Sequence, residues 1–113
     1  INGKKVLALI PARGGSKGIK DKNIKIIAGK PLIAYSVIAA KNSQYIDDVV
    51  VTTDSQRIAD VSMEYGANVP FIRPVELAGD HSTTLDAVRH ALDMLKEQAF
   101  DILVLLQLLV QLI

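Results

Sequence analysis

The stretch Val6–Asn23, VLALIPARGGSKGIKDKN, decides the fold. It opens on an unbroken apolar run, Val6 to Ile10, and stops at Pro11. A short apolar run bounded by proline reads as a strand buried on both faces of a parallel sheet. The segment behind Pro11 has the opposite character. Gly14, Gly15 and Gly18 alternate with Arg13, Lys17, Lys20 and Lys22, and Asp21 is the single carboxylate. In open α/β sheets, loops at the carboxyl ends of strands bind ligands. Glycines let backbone N–H groups approach a ligand closely, and successive N–H groups form a nest for anions. Arg13 is suited to gripping phosphate oxygens in a bidentate way. Ser16 and Asn23 add neutral donors. Polyphosphate is the natural guest. A solvated connecting loop, with glycines for turning and lysines for solubility, is the other reading of the same composition. The spacing matches neither G-x-x-x-x-G-K-[ST] nor G-x-G-x-x-G.

Working outward, the pattern alternates strands and helices. Residues 31–41, PLIAYSVIAAK, place Pro31 at a first helical turn, with Leu32, Ile33, Val37 and Ala40 at helical spacing. Residues 47–54, DDVVVTTD, form a second, β-branched strand. Ser55 caps the next helix, Ile58, Val61 and Tyr65 share its face, and Gly66 stops it. Residues 68–74, NVPFIRP, suggest a short third strand kept near an edge by its prolines. Thr83 and Asp86 have the form of a capping box. The helix behind them predicts a buried stripe of Leu85, Val88, Leu92 and Leu95 and leaves His90 on its surface. Residues 101–107, DILVLLQ, make a fourth strand, of which Ile102 to Leu106 are expected to need cover on both faces from elements partly missing here. The order predicts an α/β fold: three layers, α/β/α, around a mostly parallel sheet.

The bulk properties narrow the function. A chain of 113 residues, half of them apolar, suits one domain with a real core. Net charge is +1, which gives no reason to expect a nucleic-acid or membrane-surface binder. The absence of cysteine removes disulfides and thiolate metal sites and is compatible with a cytoplasmic protein. The first apolar run is too short for a signal peptide, and no segment reaches the roughly 18 apolar residues of a membrane span. No His/Asp/Glu spacing makes a metal site, and no Ser-His-Asp grouping is arguable.

The segment IPARGGSKGIKDKNI (10–24) resembles the signature loop of the N-acylneuraminate (sialic acid) cytidylyltransferases. Four further blocks resemble the family in the same order: AGKPLIAYS, VVVTTD, RPVELAGDHSTT and LLQ. The resemblance runs from Val6 to Gln107. It implies a Rossmann-like nucleotidyltransferase fold and transfer of CMP from CTP to an acidic nine-carbon sugar, releasing pyrophosphate. A relative acting on 3-deoxy-manno-octulosonate would carry a different loop, without GGSKG. Legionaminic or pseudaminic acid is an alternative acceptor, and a CTP-binding or assembly module without turnover is an alternative of another class.

By resemblance, Arg13 and Lys22 act on the reacting phosphates. Gly14, Gly15, Ser16, Lys17 and Asn23 join Arg13 in holding the triphosphate. Arg73 reads the cytosine, and Ala12, Ser82 and Thr84 belong to the base and ribose site. Gln107 contacts the sugar. Other readings stay open for several of these. Arg73 also suits a surface position at a strand end, Ser82 and Thr83 a helix cap, and Gln107 a buried strand end bonded to backbone. Asp54 either orders the site or caps the adjoining helix.

Two departures from the family pattern stand out. The family's second half supplies further sugar contacts, much of the dimer contact and the aspartates that hold Mg²⁺, which shields the phosphates. This chain therefore reads as a nucleotide-binding half, residues 1–107, expected to form homo-oligomers or aggregate through its last strand. After LLQ the family continues Pro-Thr-Ser-Pro, whereas here residues 108–113 read LLVQLI. Loss of one C from CCT-ACT-AGT-CCA, followed by a codon beginning with A, turns Pro-Thr-Ser-Pro into Leu-Leu-Val-Gln, so an aberrant, frameshifted tail is expected from Leu108 to Ile113. Sequencing the source DNA tests this.

Overall fold

The computed structural model describes residues 3–14, 24–74 and 84–107. Strand β1 (Val6–Pro11) is its centre. Val6 to Ile10 are each at most 3% exposed, as the apolar run requires. Burying a side chain of this size contributes about 1.5–3 kcal/mol, so β1 dominates the core. It pairs in parallel with β4 (Asp48–Thr52) on one side and β5 (Ile102–Leu105) on the other. The sheet order is β4-β1-β5.

Alternate residues of β1 point to opposite faces, and each face has its own core. On one face Ala8 and Ile10 pack with Val49 and Val51, beneath Ile33 and Val37 of α1 (Leu32–Asn42) and Ile58 of α2 (Gln56–Glu64). On the other, Leu7, Leu9 and Val50 meet Ala91 and Leu95 at the carboxyl end of α3 (Thr84–Met94). Helices cover both faces of a parallel sheet, giving the expected three layers. Ser55 caps α2, its Oγ accepting the Ile58 N–H at 3.2 Å. Such a cap is worth about 1 kcal/mol. Gly66, just past the helix, has φ +101°, the left-handed conformation in which glycine ends helices.

Three expectations need correction. Residues 68–74 are not a strand. Asn68 alone bridges to Val50, and the chain runs on through Pro70 and Pro74, which have no N–H to offer a ladder. The buried stripe of α3 is also different. Ala87 and Ala91 are buried, with Leu95 just beyond the helix, while Leu85 and Leu92 are 54% and 49% exposed. Small side chains let the helix approach β1 closely, and the leucines flank the contact. His90 is half-buried, not a surface residue, and its ring meets Phe71 edge-on at 5.1 Å. The expected apolar surface at the last strand is present: β5 is an edge strand among the described residues, with Ile102 and Leu105 partly exposed.

One element went unforeseen. Strands β2 (Ile26–Ile27) and β3 (Lys30–Pro31) form a hairpin through Ala28 and Gly29, both at positive φ. That is the turn geometry favoured by two-residue hairpins. Tyr35 of α1 donates its hydroxyl to the carbonyls of Ile27 and Ala28. The Thr83 capping box and the tail at 108–113 lie outside the described residues.

Candidate functional site

The carboxyl ends of β1, β4 and β5 gather the described candidates. Their organiser is the turn that leaves β4, Thr52–Ser55. The Thr52 carbonyl accepts the N–H of Ala12 at 2.9 Å, extending the β1–β4 pairing past the end of the strands. Asp54 Oδ1 accepts the N–H of Gly14 at 2.9 Å. The Thr53 carbonyl accepts the N–H of Arg73 at 2.8 Å. Thr53 Oγ1 in turn accepts the Ser55 N–H, tightening the turn itself. One short segment thus positions both the start of the glycine-rich loop and the arginine at the end of residues 68–73.

Gly14 is held close. A Cβ placed on it would lie 3.0 Å from the Cβ of Ser55 and 3.7 Å from Asp54 Oδ1. Contacts that tight force the turn to shift, so a side chain here would disturb the anchor without changing any charge.

Arg73 has the most unusual environment. The residue is 3% exposed, and among the described residues Nε and Nη2 are buried without a hydrogen-bond partner. Burial lowers its pKa below the usual guanidinium value. The Asp54 carboxylate opposes that shift, and the Arg13 charge adds to it. Arginine nevertheless stays protonated under ordinary conditions. Unpaired buried donors are costly, by about 1–3 kcal/mol each and more when charged. Nε and Nη2 share one edge of the guanidinium and present two parallel donors. That edge matches a planar group with two adjacent acceptors, which is what the O2 and N3 atoms of a cytosine ring offer.

At the end of β5, Gln107 donates from Nε2 to Thr84 Oγ1 at 3.0 Å. Gln107 is exposed and bonded to a side chain, so the reading of a buried glutamine held by backbone is corrected. Leu106, just before it, donates its N–H to the Leu9 carbonyl at 3.0 Å, keeping the end of β5 against β1. Ala12 is buried and Arg13 half-buried at the adjoining end of β1. Gly15, Ser16, Lys17, Lys22, Asn23 and Ser82 lie outside the described residues.

Asp54 is the residue whose part was left open by sequence. Ser55, not Asp54, caps α2, which frees the carboxylate for Gly14. The run of hydroxyl and carboxyl groups in TTDS after a β-branched strand was the available signal. Among the described residues no three His, Cys, Asp or Glu side chains gather as a metal site would require. No described helix is long and apolar enough to cross a membrane.

Comparisons with known proteins converge. A family described as Cytidylyltransferase matches residues 7–107. The CMP-N,N'-diacetyllegionaminic acid synthase of Legionella pneumophila is 46% identical over 99 residues, covering 87% of this chain and 41% of that protein. The N-acylneuraminate cytidylyltransferase of Escherichia coli is 42% identical over 90 residues, covering 80% of this chain and 21% of that protein. Among solved structures, a CMP:2-keto-3-deoxy-manno-octonic acid synthetase complexed with CTP superposes with a TM-score of 0.76 at 26% identity, over 92% of this chain and 40% of that one. The chain spans less than half the length of these relatives.

Proposed function

Because the chain belongs to the cytidylyltransferase family, we propose that it is the CTP-binding part of an enzyme transferring CMP from CTP to an N-acylneuraminate. In that reaction the sugar's anomeric hydroxyl attacks the α-phosphorus. The bond from that phosphorus to the bridging oxygen breaks, the hydroxyl proton is lost, and pyrophosphate leaves with its electron pair. Positioning and charge neutralisation are the protein's main tasks in such chemistry.

The observation that carries the proposal is the buried, unpartnered edge of Arg73 beside the anchored start of the glycine-rich loop. Cytosine satisfies both donors of that edge, whereas uracil places an N–H at N3 against them. The edge is closed to water in the free chain, so ligand entry displaces what packs over it. Arg13, with Lys17, Lys22, Ser16, Asn23 and the amides of Gly14 and Gly15, takes the triphosphate. Arg13 and Lys22 stabilise the charge growing on pyrophosphate. Ala12, Ser82 and Thr84 complete the base and ribose site, and Gln107, at the end of β5, faces the acceptor sugar. The Mg²⁺ that shields phosphates in such reactions finds no carboxylate set among the described residues, and none of these roles depends on it.

Legionaminic or pseudaminic acid is the alternative acceptor, the former supported by the 46% identity to the Legionella enzyme. A binding module without turnover is the second class of reading. Titration with CTP, UTP, CMP and cytidine tests the shared core of these readings: affinity should fall from CTP to CMP to cytidine, and CTP should bind more tightly than UTP. Pyrophosphate release with each sugar acid then separates enzyme from module and one acceptor from another. Equal affinity for CTP and UTP would sink the assignment of Arg73.

We also place the chain in the cytoplasm as a homo-oligomer. Ile102 and Leu105 on the edge strand, with Leu85 and Leu92 on α3, leave apolar surface exposed. Such edges and patches drive association. Light scattering should record species larger than a monomer as concentration rises, and a clean monomer at high concentration would contradict this.

A further inference from the structure

We infer that Asp54 is a positioning residue: its carboxylate fixes the backbone at Gly14, just past β1, and phosphate binding depends on that anchor. This role rests on the CTP-binding function proposed for the chain. Three observations carry it. Asp54 Oδ1 accepts the Gly14 N–H at 2.9 Å, across 40 residues of sequence. Gly14 approaches the same turn so closely that a Cβ would meet Ser55 at 3.0 Å. The competing role is already filled, since Ser55 Oγ accepts the Ile58 N–H and caps α2.

The sign of the charge separates this role from a purely electrostatic one. A carboxylate near a polyphosphate site repels the ligand, so by Coulomb's law alone its removal strengthens binding. An anchoring role predicts the reverse when the acceptor is lost. Two variants of the full chain separate these effects. Asp54→Asn removes the charge but keeps an oxygen to accept from Gly14. Asp54→Ala removes both. Inorganic tripolyphosphate and cytidine serve as separate probes in calorimetric titrations.

Asp54→Asn should bind tripolyphosphate at or above wild-type affinity, and Asp54→Ala about tenfold more weakly than Asp54→Asn. Cytidine should bind equally to the two variants, because both are neutral at this position and neither alters a base contact. The Gly14 amide should resist hydrogen exchange in wild type and in Asp54→Asn, and exchange freely in Asp54→Ala. Both variants at or above wild type for tripolyphosphate, or both equally below it, would overturn the inference. So would unchanged Gly14 protection in Asp54→Ala, and that result would leave the CTP reading standing. Failure of the wild-type chain to bind tripolyphosphate would instead sink the CTP reading, and the role of Asp54 with it.

Discussion

Arg73→Met should raise the thermal midpoint of the ligand-free chain and, in the same protein, weaken CTP, CMP and cytidine alike. The two effects share one cause. Nε and Nη2 are buried without a hydrogen-bond partner among the described residues, and the Asp54 carboxylate opposes the cost of burial without supplying those bonds. Replacing buried ionic groups by apolar side chains of similar volume is often neutral or stabilising, here by about 1–2 kcal/mol. Binding loses instead the hydrogen bonds that a charged donor pair would make to the base, about 1.5–3 kcal/mol. Affinity for each cytosine ligand should fall by about ten- to a hundredfold, since 1.4 kcal/mol is tenfold. Because the base contact is common to all three, the loss should be similar across them, and the preference for CTP over UTP should shrink. Thermal melts of free chains and titrations with the four ligands check both halves. A lower midpoint with nucleotide selectivity unchanged would make Arg73 a structural residue only.

That stored cost was only partly legible in the sequence. An arginine between Ile72 and Pro74 also reads as a surface residue at the end of a strand, and nothing local says that it is buried. Its burial comes from tertiary placement, with its N–H on the Thr53 carbonyl. Strand β1 was clear because five apolar residues in a row need cover on both faces. The α3 face was misread because leucine spacing identifies an apolar stripe but not which flank approaches the sheet. Ala87 and Ala91 decide that by letting the backbones come close. The β2–β3 hairpin escaped notice because strands of two residues carry no periodicity. For Asp54 and Ser55 the ambiguity was real: either neighbour has the oxygen for a cap, and only a contact to Gly14, distant in sequence, divides their work.

Arg13→Ala should split the ligands that Arg73→Met treats alike. Arg13 stands at the end of β1, directly before the anchored Gly14, and the proposed guest of this end of the sheet is the triphosphate. A guanidinium binds phosphate oxygens in a charge-assisted, bidentate way that alanine cannot replace. Loss of that pair should weaken CTP by about 1.5–3 kcal/mol. CMP, with one phosphate, should lose less, and cytidine, with none, should change little. A second effect works in the opposite direction for the base. The Arg13 charge bears unfavourably on the buried guanidinium of Arg73, so removing it relieves Arg73 and does not harm cytidine binding. Raised salt should mimic part of the substitution, because screening weakens exposed charge pairs more than buried ones. CTP affinity should therefore fall with ionic strength in wild type and fall less steeply in Arg13→Ala, while cytidine affinity stays nearly flat in both. Titrations of the three ligands at two salt concentrations decide the matter. If Arg13→Ala lowers cytidine and CTP affinity by the same factor, the loop after β1 does not cradle phosphate and the central assignment fails.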